Sequence, residues 1–250
     1  MTTGPFTPAE RYWFDLHGFV VRRGALSVDE VAALNDGVSR LNLPPTRPTD
    51  IGSQRFAGHL GVHPSFATLL DHPAVFEILV ELCGPTVRLD HTYGIVMNQG
   101  DQGLGLHGGG HLWDPAQYYT VDRTGMHTGL VAVQWAISGS RAGDGGFACV
   151  PGSHKAAFAP PPDLGLQHPS VVEVPLGVGD VVLFTEALMH GTLPWRGTNQ
   201  RRTLLYKYSP GSSSWSADHE PPAGLAMDSL SPRQRLLFQR PAVHGHLPVR

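Results

Sequence analysis

Two histidines, His107 and His190, have surroundings in which a metal could be held. His107 ends the run "GLGLH" and opens "HGGGH", and His190 ends "VVLFTEALMH". Histidine is the commonest metal ligand. Two histidines on separate strands of one β barrel converge when each has the parity that points inward. With one carboxylate, such a pair makes the facial site of non-haem Fe(II) enzymes, which keeps positions open for other ligands. Among fourteen histidines the pair alone decides nothing, but the residues after His190 add to it. Thr192, a small hydroxyl, lies two residues on, and Arg201 lies eleven residues on, opening "RRTLLYKY". A hairpin would return that strand beside His190. An inward-facing arginine needs an anion, and a carboxylate suits its planar fork.

The rest of the chain must build the scaffold for these groups. It has 250 residues, 41% hydrophobic and 16% charged, with 30 glycines and 22 prolines, which fits a loop-rich β architecture better than a helical bundle. The length suits one domain over 1–250. Its first part, about 7–84, reads as helical. Thr7-Pro8-Ala9-Glu10 has the form of a capped helix start. Ser27 and Glu30 form a second capping box, opening a helix through about Leu41. "GFVVRRG" between them is a short strand, residues 42–60 read as a loop, and "SFATLLDHPAVFEILVELCGP" gives one or two short helices divided by Pro73. From 86 to 208, six or more β-branched or aromatic runs separated by Gly, Pro, Asn and Asp predict a sandwich or barrel. The tail, 209–250, is coil apart from one helix in "LSPRQRLLFQRP".

A formal charge of −3 and a pI near 6.5 mark neither a nucleic-acid nor a membrane-surface protein. No run reaches the ~18 apolar residues of a membrane span, and the N-terminus lacks the pattern of a signal peptide. A cytoplasmic protein is expected, with Cys83 and Cys149 as buried free thiols. The sequence does not state the oligomeric state.

Four segments together resemble the phytanoyl-CoA dioxygenase family of Fe(II)/2-oxoglutarate enzymes. They are "HGFVVRRGALSVDEVAAL", "LHGGGH", "GDGGFACVPGSHK" and "VGDVVLFTEALMHGTLPW" with Arg201, spread over 17–208. The resemblance implies a mainly β fold, a double-stranded β-helix or jelly roll behind an N-terminal helical layer. It implies that His107 and His190 bind Fe(II), and that Arg201 pairs with the distal carboxylate of 2-oxoglutarate, with Thr192 hydrogen-bonding the same group. It implies O₂ as co-substrate and oxidation of an aliphatic C–H bond of a small organic molecule. His154 and Lys155 also match the family, but loop packing is the expectation for them.

One departure matters. The family's first metal motif reads His-x-Asp or His-x-Glu, whereas here it reads His107-Gly108-Gly109. Another carboxylate could substitute. Glu186, four residues before His190, would stand roughly 13 Å away on a regular strand. Asp114 sits on a probable loop, and Asp101 on a turn that looks exposed. Alternatively chloride fills the vacancy, as in resembling halogenases that carry His-x-Gly, which makes Gly109 the catalytic feature. Water is a further option. So is loss of chemistry, leaving a β-barrel binding protein, and a cupin-like isomerase or lyase would use the same histidines without O₂. His111, Asp114, Tyr118 and His127 lie on the long connection after His107 and are expected to wall a pocket for a polar or partly aromatic substrate.

Overall fold

Both capping boxes form. In the computed structural model, which describes residues 3–44, 52–111 and 113–250, α1 (Pro8–His17) starts at Thr7. The Thr7 hydroxyl accepts the Glu10 N–H at 3.1 Å, and the Glu10 carboxylate accepts the Thr7 N–H at 2.8 Å. After β1 (Phe19–Arg22), Ser27 and Glu30 repeat the device at the head of α2 (Val28–Arg40). Part of the loop expected at 42–60 lies outside the described residues, and β2 (Gln54–Phe56) occupies its end. A 3₁₀ turn and α3 (Phe76–Cys83) stand on either side of Pro73, which cannot donate a helical hydrogen bond.

The β part then runs through β3 (Arg88–Met97), β4 (Leu104–His107), β5 (Tyr119–Asp122), β6 (Gly125–Thr128), β7 (Val131–Ala136) and β8 (Gly146–Cys149). It continues through β9 (Val172–Glu173), β10 (Val181–Thr185), β11 (His190–Leu193) and β12 (Arg201–Ser209), and α4 (Pro232–Leu236) lies in the tail. The larger sheet has the order β1-β10-β7-β12-β3-β2, the smaller β4-β11-β8-β9, and β5-β6 form a separate hairpin. Every described pairing is antiparallel, and the two main sheets make a jelly roll.

Alternation along the strands divides the core in two. Val133 and Trp135 of β7, Val181 and Leu183 of β10, and Leu204 and Tyr206 of β12 face the helices and bury Phe14, Leu34, Phe66 and Ile78. Each such side chain contributes roughly 1.5–3 kcal/mol through burial. The opposite parity, with Ala132, Ala136, Val182 and Phe184, faces the smaller sheet and meets Phe147, Cys149 and Leu188. Cys83 and Cys149 are free and buried, and burial pushes both thiols up to about 12. Among the described residues, no helix is long and apolar enough to cross a membrane.

Two expectations about connectivity are corrected. His190 does not end the strand that begins at Asp180. β10 stops at Thr185, whose carbonyl accepts the Leu188 N–H at 2.9 Å, and His190 opens a new strand after that turn. Arg201 is not on a hairpin partner of His190 either. β12 pairs with β3 and β7 in the larger sheet, because the chain crosses between the sheets after Leu193. Arg201 therefore approaches from the opposite wall.

Candidate active site

The register of β4 on β11 sets His107 directly across from His190, with ring centroids 4.2 Å apart. Each ring is held the same way. His190 Nδ1 lies 2.7 Å from the Leu188 carbonyl, and His107 Nδ1 lies 3.0 Å from the Gly105 carbonyl. A carbonyl only accepts, so both Nδ1 atoms carry the hydrogen and both Nε2 atoms keep the lone pair a metal needs. His190 is buried against Phe184 and Phe147, and burial lowers its pKa to about 4. It is neutral near pH 7, the form that ligates. His107 is exposed, so the pair reaches from the interior to solvent.

The glycine run lies against the turn that precedes His190. The Gly109 N–H donates to the Ala187 carbonyl at 3.0 Å, and a Cβ on Gly108 would come within 2.8 Å of the Leu188 and Glu186 carbonyl oxygens. Gly109 has φ +117°, and a Cβ there would meet His111 Nδ1 at 2.8 Å. An L side chain has neither the conformation nor the space. Ser153 pins both arms. Its carbonyl accepts the Gly110 N–H at 2.8 Å and its hydroxyl accepts the Met189 N–H at 2.8 Å. His154 and Lys155 next to it dock α1, through the Asp15 carbonyl at 3.0 Å and the Asp15 carboxylate at 2.6 Å.

Glu186 stands much closer than a regular strand would put it. Because β10 ends at Thr185, the turn folds Glu186 back, and its Oε1 lies 3.9 Å from His190 Nε2. The carboxylate is buried and accepts a hydrogen bond from Lys207, itself buried on β12. Burial alone would raise the Glu186 pKa, but Lys207, with His190 and His107 adding to it, brings it down to about 2. Among the described residues, no three His, Cys, Asp or Glu side chains already form a metal cage. Asp101 is buried rather than exposed, because its carboxylate accepts the Asn98 N–H at 2.7 Å and closes a turn. Asp114 caps its own turn, accepting the Ala116 N–H at 2.8 Å.

Arg201 is buried on the inner face, and its described polar contact is from Nη1 to the Met97 sulfur at 3.3 Å. Among the described residues, no carboxylate pairs with it. Burial lowers its pKa to about 10, which marks a guanidinium lacking an anion. Gly146 of β8, at φ +95°, makes room for it, since a Cβ there would lie 2.9 Å from Arg201 Nε. Thr192 is half-buried and shares the face of His190, two residues along β11. Two neutral imidazole lone pairs and an unpaired buried guanidinium fit a divalent metal and a dicarboxylate.

The residues expected on a lid separate. His111 lies beside Gly109, half-buried. Tyr118 and His127 lie farther along the same connection. The Tyr118 ring stacks 6.1 Å from Trp113, and burial, with Cys83 adding to it, raises its pKa. His127 is exposed on the β5-β6 hairpin, 3.0 Å from Thr124 and 3.2 Å from Asp122. That segment pairs with itself and packs on α3.

Other residues take the inner wall. Cross-strand registers put Lys207 in line with Ala132, Phe184 and His91, and Leu205 in line with Gln134, Val182 and Tyr93. The Lys207 ammonium lies 5.3 Å from the Phe184 ring and 5.9 Å from the Tyr93 ring. His91 and Tyr93 are only half-buried there, and among the described residues the buried Gln134 amide nitrogen has no partner. Lys207 could have been found in the sequence, since it stands six residues from Arg201 on one strand and so shares its face.

The model of the phytanoyl-CoA dioxygenase family matches residues 14–203. No curated protein sequence matches the chain. Among solved structures, HygX from Streptomyces hygroscopicus with nickel and 2-oxoglutarate bound is 26% identical, with a TM-score of 0.77, covering 88% of this chain and 94% of HygX. HygX with nickel, 2-oxoglutarate and hygromycin B bound aligns with a TM-score of 0.75 at 26% identity, covering 88% and 94%. The non-haem α-ketoglutarate-dependent carbocyclase SnoK from nogalamycin biosynthesis shares the fold, at 17% identity and a TM-score of 0.63 over 84% and 88% of the chains.

Proposed function

The chain belongs to the phytanoyl-CoA dioxygenase family, and on that footing we propose that it is an Fe(II)- and 2-oxoglutarate-dependent oxidoreductase acting on a C–H bond of a small polar organic molecule. The observation that carries this reading is the buried Arg201, without an anion, set across the barrel from two histidines whose Nε2 lone pairs are free. His107 and His190 hold the metal. Arg201 receives the far carboxylate of 2-oxoglutarate, with Thr192 as a further donor. When bound, iron and 2-oxoglutarate supply the oxidation by O₂. The binding of 2-oxoglutarate by HygX, a 26% identical neighbour, supports the assignment.

The polar lining of the inner wall, with Lys207, Gln134, His91 and Tyr93, suits a substrate with several hydrogen-bonding groups, and the hygromycin B bound by HygX is consistent with that class. Oxygenation is favoured over chlorination. A buried carboxylate, Glu186, already stands 3.9 Å from His190 Nε2, and its negative charge opposes a chloride there. Anaerobic protein with Fe(II) and 2-oxoglutarate should give a weak charge-transfer band at roughly 500 nm. His190→Ala should abolish it. A band that never forms, or that persists in His190→Ala, would refute the proposal. A band that shifts with chloride, together with a chlorinated product, would reinstate the halogenase.

A further inference from the structure

We infer that Glu186 supplies the carboxylate that the His107-Gly-Gly motif lacks, reaching the metal from the turn before His190 while Lys207 holds it in place when no metal is bound. The inference rests on the reading of His107 and His190 as metal ligands. Its Oε1 lies 3.9 Å from His190 Nε2. Two ligands of one ion are separated by roughly 3 Å when adjacent and 4 Å when opposite, because each bond is near 2.1 Å. The two atoms therefore already stand within the reach of a single metal.

The backbone explains why this carboxylate can stand in for one at position 109. The Gly109 N–H is bonded to the Ala187 carbonyl at 3.0 Å, so the residue after Glu186 touches the very residue that lost its carboxylate. Ser153 ties Gly110 and Met189 to one point. The two segments behave as one piece, and the side chain moves from one to the other without leaving the site. A buried carboxylate needs a cation. Without metal, Lys207 is that cation. With metal bound, the ion takes over the role, and the Lys207 ammonium keeps the ring faces of Phe184 and Tyr93, 5.3 and 5.9 Å away. Two histidines and one carboxylate are the donor set for Fe(II) with open positions, and a facial arrangement needs the 3.9 Å separation to close toward about 3 Å.

The experiment measures Mn(II) affinity of the full chain without oxygen, with 2-oxoglutarate present, from the paramagnetic resonance signal of the free ion. Folding is checked by circular dichroism. The key variant is the double substitution Glu186→Gln with Lys207→Met, which leaves no buried charge unpaired. It should bind Mn(II) more weakly by at least roughly the tenfold that loss of even an outer partner costs. Glu186→Asp keeps the charge beside Lys207 but withdraws the oxygens by one methylene, and should weaken binding in the same direction. Lys207→Met alone should tighten it, since the competing cation is gone. If wild type binds and His190→Ala does not, while the double variant and Glu186→Asp both bind as wild type, then Glu186 is only the counter-ion of Lys207 and the inference falls alone. If wild type and His190→Ala are equally unable to bind, the metal site itself falls and takes the inference with it.

Discussion

Replacing Arg201 by Met separates a cofactor-binding arginine from a structural one. The guanidinium is buried, and burial lowers its pKa to about 10. At roughly 1.4 kcal/mol per pH unit, holding that charge costs the folded protein about 3 kcal/mol before any anion arrives. Its described contact with the Met97 sulfur, at 3.3 Å, returns little of this. Arg201→Met keeps the bulk and removes the charge. The ligand-free variant should therefore be as stable as wild type or better, by about 1–2 kcal/mol, which for this size is a rise in Tm of roughly 2–8 °C. Binding of 2-oxoglutarate should move the other way. Loss of one partner of a buried charge pair costs about 3–5 kcal/mol, and the lower figure is already about 150-fold in Kd. Both quantities are measured on the same samples, by thermal denaturation and by anaerobic titration of the visible band. A structural arginine would give the reverse pattern, an unstable ligand-free variant with unchanged affinity for 2-oxoglutarate. That result would refute the assignment.

Acid should destabilise the fold through buried neutral histidines. His59 and His154 both have pKa values lowered by burial from 6.5 to about 4. Their contribution is complete above pH 6.5 and falls as pH drops through that window, because the unfolded chain takes up the protons first. Near pH 5 each costs about 2 kcal/mol. His59 packs edge-on against Phe66 and Tyr206, and among the described residues neither ring nitrogen has a partner, so His59→Phe should flatten the pH dependence in urea denaturation. Ser153→Ala should cost about 1–3 kcal/mol, because the Met189 N–H loses its acceptor, and isothermal titration should show weaker metal binding. Gly109→Ala should cost about 1–3 kcal/mol in urea denaturation through strain at φ +117°, and Gly109→Asp should be no milder.

The parts of the fold that depend on local rules could be read from the sequence. The Thr7-Glu10 and Ser27-Glu30 boxes open helices where expected, and the short β-branched runs after residue 86 became the strands of a jelly roll. His107, His190 and Thr192, singled out by their spacing, lie on the smaller sheet, and the buried Arg201 comes from the larger one. Tertiary choices were not legible. Nothing local says that β12 joins the larger sheet, so Arg201 was placed beside His190 rather than opposite it. Nothing local says that "GLVAVQW" must follow a hairpin, which leaves His127 exposed on that hairpin and Tyr118 stacked on Trp113. The roughly 13 Å expected between Glu186 and His190 presupposes that the strand continues. It ends one residue earlier.

That single break bears on how the glycines of "LHGGGH" are understood. If β10 continued, residues 186–189 would run past the site and a side chain at 109 would have room. Because the chain turns at Thr185, carbonyls of Glu186 and Leu188 lie against Gly108, and the Ala187 carbonyl binds the Gly109 N–H. A side chain at 108 would push that turn away, and one at 109 would meet the His111 and Met189 side chains at a strained φ of +117°. The glycines are then a packing requirement of the turn, and the same turn brings in the Glu186 carboxylate 3.9 Å from His190 Nε2. The Gly109–Ala187 contact thus joins the motif that lacks an acid to the segment that carries Glu186. If Glu186 is the metal's carboxylate, an acid at position 109 adds strain at φ +117° and a second negative charge beside it. A Gly109→Asp substitution should displace Glu186 and weaken metal binding, where a true vacancy would let it strengthen. Mn(II) titration of that variant decides between the two.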